Sequence, residues 1–151
     1  MTAGSVSAET AGLARRFLSL VYEALLVTAV ALAGMVPFVV ITSGIDPALR
    51  HPLNQLYLAL LLGVYFVWQW TRGGQTLAMK TWRLKLVTRE GGPLMAGVAL
   101  RRYAFALAGA LLMGAGFLWA LVDRDRQFLH DRLAGTRIIV VPATTPAPPR
   151  R

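Results

Sequence analysis

The sequence predicts an all-α polytopic membrane protein: two transmembrane helices, a third apolar segment that either spans or re-enters as a hairpin, and a small cytoplasmic two-strand element. Three observations predict it. Phe17 to Ile41 is an almost unbroken apolar run, preceded by Arg15-Arg16 and holding one acid, Glu23. The chain of 151 residues is 56% hydrophobic and only 15% charged, too apolar for an ordinary soluble domain. Its 16 Lys and Arg against 7 acids flank apolar runs, as in membrane proteins that mark their cytoplasmic side with positive charge. A nucleic-acid partner would require those charges on one soluble face, so none is expected.

The first helix follows from length. A bilayer core about 30 Å thick takes roughly 20 apolar residues of helix to cross, and Phe17 to Ile41 suffices. The run is too long for a signal peptide, contains a carboxylate and lacks a small-residue cleavage site. Phe17-Leu18 follows the arginine pair directly, where a twin-arginine export signal has an intervening residue. An uncleaved helix is expected, with Pro37 late in it, after a disordered polar stretch at residues 1–12.

Thr42 to Pro52 is a Gly- and Pro-containing loop whose charges nearly cancel. Leu53 to Trp70 is the second expected span; Tyr57 near one end and Tyr65, Trp68 and Trp70 near the other match an interfacial aromatic belt. Thr71 to Arg102 carries Arg72, Lys80, Arg83, Lys85, Arg89, Arg101 and Arg102 against Glu90, so this loop should be cytoplasmic. The N-terminus is then cytoplasmic and the first loop periplasmic. Inside the basic loop, Gln75 to Trp82 reads as a short surface helix and Arg83 to Thr88 alternates like a strand, ended by Gly91-Gly92-Pro93. Trp82 among Lys80, Arg83 and Lys85 suits an indole at the headgroups with its cations on anionic lipid, so a bilayer with anionic lipids is an expected partner.

Leu94 to Val122 is the third apolar region, interrupted by Arg101-Arg102. Tyr103 to Val122 is long enough to span alone; Gly109, Gly114 and Gly116 soften its middle, and Ala106, Ala110 and Gly114 form a small-residue face suited to close helix contact. In the tail, Gln127 to Leu133 reads as a short helix stopped by Gly135, and Thr136 to Val141 as a second strand. Three full crossings would export this arginine-rich tail and separate the two strands, whose backbone groups need each other. A hairpin bent near Gly109 to Gly116 keeps them together, provided protein covers the bend. Both geometries remain open, and the arginines and strands weigh toward the hairpin. Residues 142–151 are Pro-rich and expected to be disordered.

A charged group inside a bilayer is costly and marks packing or an ion path. Glu23 lies seven residues after Arg16, about 10 Å along the axis, and helical side chains lean N-terminally, so contact within the helix is disfavoured. Arg101 or Arg102 is the expected partner. His130-Asp131 lacks the further ligands of a metal site, since His51 lies on the opposite loop, and has no nucleophile beside it. The chain has no cysteine. It reads as a non-enzyme, with no catalytic residue, metal or cofactor.

Four segments resemble the bacterial RDD family: Arg15-Arg16 through Glu23-Ala24, Gly74-Gln75-Thr76-Leu77 with Lys80, Phe117 to Asp123 including Trp119, and His130-Asp131-Arg132 through Arg137. They occur in family order across residues 13–141, and the last is the most specific. The resemblance places the family arginine at Arg15 or Arg16, its first aspartate at Glu23, one methylene longer, and its second at Asp131. It implies a bacterial inner-membrane protein without an established activity, associated with transport of unknown ligands. The resulting ligand or ion path consists of Arg15, Arg16, Glu23, Arg101, Arg102 and Asp131. Two or three helices cannot enclose a path, so a homo-oligomer or another membrane protein is the expected partner. The alternative is a non-transporting scaffold or assembly factor.

Overall fold

A computed structural model describes residues 12–112, 119, 123 and 127–142. The expected disorder of residues 1–12 and 142–151 falls almost wholly outside these. The first helix, α1, spans Leu13–Ile41 and continues through Pro37. It is the one described helix long and apolar enough to cross a membrane. The second helix, α2, spans Pro47–Gly73 and starts earlier than expected. Pro47 sits in its first turn, and the Asp46 carboxylate accepts the Ala48 amide at 2.8 Å, a cap that pulls part of the loop into the helix. Asn54, Gln55 and Gln69 dilute its apolar character, so α2 has the length of a span without the same apolarity.

The two helices meet along Phe38 and Tyr57, whose rings stack at 3.8 Å, and where Gly34 lets Leu61 approach its backbone. A further helix, α4, spans Ala96–Leu111 and packs on the other flank of α2. There the Tyr103 hydroxyl donates to the Ala59 carbonyl at 2.7 Å and its ring rests on Gly63.

The cap is built from α3 (Leu77–Thr81), β1 (Leu84–Thr88), α5 (Leu129–Ala134) and β2 (Thr136–Val140). The expected strands form and pair antiparallel, from Leu84 opposite Val140 to Thr88 opposite Thr136. Their alternation buries Leu84, Leu86 and Ile138. Gly74 ends α2 at φ 68° and accepts the Leu86 amide at 2.7 Å; Gly135 ends α5 at φ 71°, as expected of its stop signal.

The described residues on either side of the third apolar region share the core of the cap. Leu94 ahead of α4 and Phe128 ahead of α5 belong to one core with Trp70, Leu84, Leu86 and Ile138. One continuous helix over Tyr103 to Val122 does not form: α4 starts at Ala96, stops at Leu111 and covers about 24 Å. Gly109 is buried within α4, while Gly114 and Gly116, the other residues of the expected bend, lie outside the described residues.

Candidate functional site

Because α1 and α4 pack on opposite flanks of α2, a cleft of about 230 Å³ lies between them, closed at one end by the cap. Arg16, Ser19 and Glu23 line it from α1, one side of that helix by their spacing. Phe66 and Trp70 face it from α2, Arg102, Tyr103, Ala106, Leu107 and Ala110 from α4, and Thr76, Phe128 and His130 from the cap side.

Glu23 is buried and held by hydroxyls. The Tyr65 hydroxyl donates to Oε1 at 2.9 Å and the Thr76 hydroxyl donates to Oε2. Thr76 Oγ1 also accepts the Met79 amide at 3.2 Å as the cap of α3, so this carboxylate joins α1 to α2 and to the cap. Neither expected arginine touches Glu23 directly, although the charge of Arg102 acts on it across the cleft. Arg101 is exposed. Arg102, one helical step of 100° further round, is 5% exposed and its Nε donates to Asp131 Oδ1 at 2.7 Å. Its guanidinium lies 4.2 Å from the Trp70 ring centroid. An acid of the cap thus takes the arginine assigned to Glu23, though Arg102 and Glu23 face the same cleft.

The arginine pair divides in the same way. Arg15 is exposed; Arg16 is 2% exposed and its Nη2 donates to the Ile138 carbonyl at 3.3 Å. Asp131 is completely buried and also accepts from the Thr136 hydroxyl at 3.3 Å. Of the six expected site residues, Arg16, Glu23, Arg102 and Asp131 gather at the junction of cleft and cap, whereas Arg15 and Arg101 remain outside it.

His130 stacks on Phe128 at 5.4 Å between centroids, with Nε2 3.8 Å from Asp131 Oδ1. Burial pushes its pKa down to about 4; Asp131 opposes the shift and Arg102 reinforces it, so the imidazole is neutral at pH 7. Beside it, Asp123 accepts from Arg132 and from the Gln127 amide at 3.0 Å.

Several participants escape sequence reasoning. Tyr65 reads as a belt aromatic yet binds Glu23, and Trp70 is buried under Arg102 instead of lying at an interface; Trp68 is exposed, with Arg72 5.0 Å from its ring centroid. Thr76 sits inside the Gly-Gln-Thr-Leu segment, whose only advance signal was that resemblance. Ala106 and Ala110 line the cleft, so two members of the small-residue face turn toward it.

The model of the RDD family matches residues 10–135, a region that contains Arg16, Glu23, Arg102 and Asp131 and ends ahead of β2. Comparison with curated proteins and with solved structures finds no match. With a helix fit to cross a bilayer and a family match over most of its length, the chain is a membrane protein belonging to the RDD family.

Proposed function

We propose that the protein binds an ion or small ligand in the cleft and acts in its transport across a bacterial inner membrane, as a homo-oligomer and without enzymatic chemistry. In this reading α1 and α2 cross the bilayer and the apolar region 94–122, of which α4 is the first part, re-enters from the cap side. The cap is cytoplasmic, as is the N-terminus. Exposed Arg72, Lys80, Arg83 and Arg89 support that sidedness, and cations at this surface suit anionic lipid headgroups. The length of α4, about 24 Å, is less than the roughly 30 Å of a hydrocarbon core and supports re-entry.

One observation carries the reading. Arg16 and Glu23 sit on the same side of the first helix and border open space instead of neutralising each other by contact. An intramembrane charge costs about 2.5–3.5 kcal/mol at the helix centre and less near an interface, and a place in a transport path accounts for keeping it. The scaffold reading drew on the small-residue face, and the position of Ala106 and Ala110 in the cleft favours transport over it.

The test is ion flux into proteoliposomes, followed with pH- and potential-sensitive dyes, for wild type and Glu23→Gln. The substitution retains oxygen and nitrogen in the same space but removes the charge. Wild-type flux that falls at least about tenfold in the variant, about 1.4 kcal/mol in the barrier, supports transport. Absence of wild-type flux together with a stable heterologous complex favours the scaffold. A reporter fused after Val141 tests sidedness: a periplasmic signal overturns the re-entrant arrangement.

A further inference from the structure

We propose that the cleft binds the ring of a membrane-dissolved quinone, with one carbonyl accepting from Ser19 and Arg102 and the chain leading away from the cap. The inference rests on the cleft being a binding site and narrows its occupant from an ion or small ligand to one neutral class. The first ground is the supply of donors and acceptors. Ser19 is 5% exposed, lines the cleft, and its hydroxyl has no partner among the described residues. Arg102 lines the cleft as well; its Nε is taken by Asp131, while Nη1 and Nη2 donate to no acceptor among the described residues. Both oxygens of Glu23 already receive hydroxyls. The cleft therefore lacks an acceptor more than a donor. A carbonyl accepts through two lone pairs and donates nothing, which meets that need.

The second ground is charge. An anion in the cleft meets Glu23, and a cation meets Arg16 and Arg102. Among apolar walls either repulsion is costly, and a neutral occupant avoids both. The third is shape. Phe66 stacks on Trp70 at 5.1 Å between centroids and lies 6.3 Å from Tyr103, so three adjoining rings line the cleft. A flat ring packs on such a wall in offset or edge-on contact. The fourth is direction. Ser19 and Arg102 lie toward the cap, whereas Leu62, Leu107 and Ala110 lie further from it along α2 and α4. With the cap at the cytoplasmic face, this order sets the carbonyl near the headgroups and the chain among acyl tails. At about 230 Å³ the space holds one substituted ring, with most of the chain outside.

The experiment titrates the delipidated full-length protein in detergent with decylubiquinone. The quinone ring quenches tryptophan fluorescence on contact, and Trp70 lines the cleft. Exposed Trp68 would also sense quinone dissolved in the micelle, so every titration is made in a Trp68→Phe background. Decanoate, protonated decylamine and methyl decanoate are the comparators: an anion, a cation and a neutral ester without a ring. They are scored by displacement of the quinone. The expected result is saturable quenching, with each comparator displacing the quinone only at concentrations at least about tenfold higher. Ala106→Leu, which narrows the cleft and removes no polar contact, should raise the quinone midpoint about tenfold with an unchanged elution volume. Ser19→Ala, which retains the space and removes one neutral hydrogen bond, should raise it about threefold and provides the check if the larger substitution fails to fold. Quenching that rises without saturation overturns the proposal, as does a midpoint that neither variant moves. Displacement by decanoate or decylamine at the quinone's own midpoint overturns the choice of a neutral occupant; the same result with methyl decanoate replaces the quinone with an acyl ester. Quinone binding without ion flux would defeat ion transport while preserving this site; flux without quinone binding would do the reverse.

Discussion

In the cap, apolar side chains turn inward: Leu84, Leu86, Val87, Phe128 and Ile138 are buried, and its surface displays Lys80, Arg83 and Arg89. In the long helices the arrangement is inverted. Leu25, Leu32, Val36, Leu60 and Val64 face outward, while Arg16, Ser19 and Glu23 face inward. Water expels apolar surface into the cap core, whereas lipid exerts no such pressure on a leucine and leaves packing and polar contacts to hold the helices together. The charged cluster lies at the boundary between the two regimes, where the cap shields it from water and contributes Asp131.

The sharpest way to break this comparison is to remove the cap's buried anion. Asp131→Ala should cost about 3–5 kcal/mol, because Arg102 would remain buried without its partner. Denaturation in detergent, followed by circular dichroism, measures it. Next is a matched pair of leucines. Leu86→Ala in the cap should cost about 3–4 kcal/mol, whereas Leu60→Ala, 60% exposed on α2, should change stability by less than about 0.5 kcal/mol. Equal losses would mean that the helices have a core of the same kind as the cap.

Acid should also act on the cap. His130 titrates near pH 4 in the folded protein against 6.5 ordinarily, so between these values the unfolded chain binds a proton that the folded chain refuses. Its contribution is therefore fully present above pH 6.5 and lost as pH falls toward 4, on the order of 3 kcal/mol in total. A melting-temperature profile that steepens over this range, and flattens in His130→Phe, is the expected result. The smallest contrast lies between two glycines. A side chain at Gly74 meets both positive φ and the Leu86 carbonyl, whereas one at Gly135 meets positive φ in open space. Alanine should cost at least about 2 kcal/mol at the first and about 1 kcal/mol at the second.

The cap was legible in the sequence because its signals are local. Alternation over Arg83 to Thr88, branched residues over Thr136 to Val141 and the stop at Gly135 each require only neighbouring residues. Their pairing was legible from the need of two lone strands for each other. A buried role for Glu23 was legible as an acid in an apolar run. Its partners were not, because they depend on how neighbouring helices are rotated: whether Arg101 or Arg102 faces inward, and whether Tyr65 points to lipid or to α1, is settled by packing across elements. The split between Arg15 and Arg16 was hidden for the same reason.

The pairing of β1 with β2 also sets an order of events during synthesis. The first strand is translated ahead of α4 and its mate only after it, so β1 waits with an open edge until β2 is made. The sheet closes last, as a latch on the cap. A chain that stalled before β2 would keep that sticky edge unpaired and open to pairing with another chain.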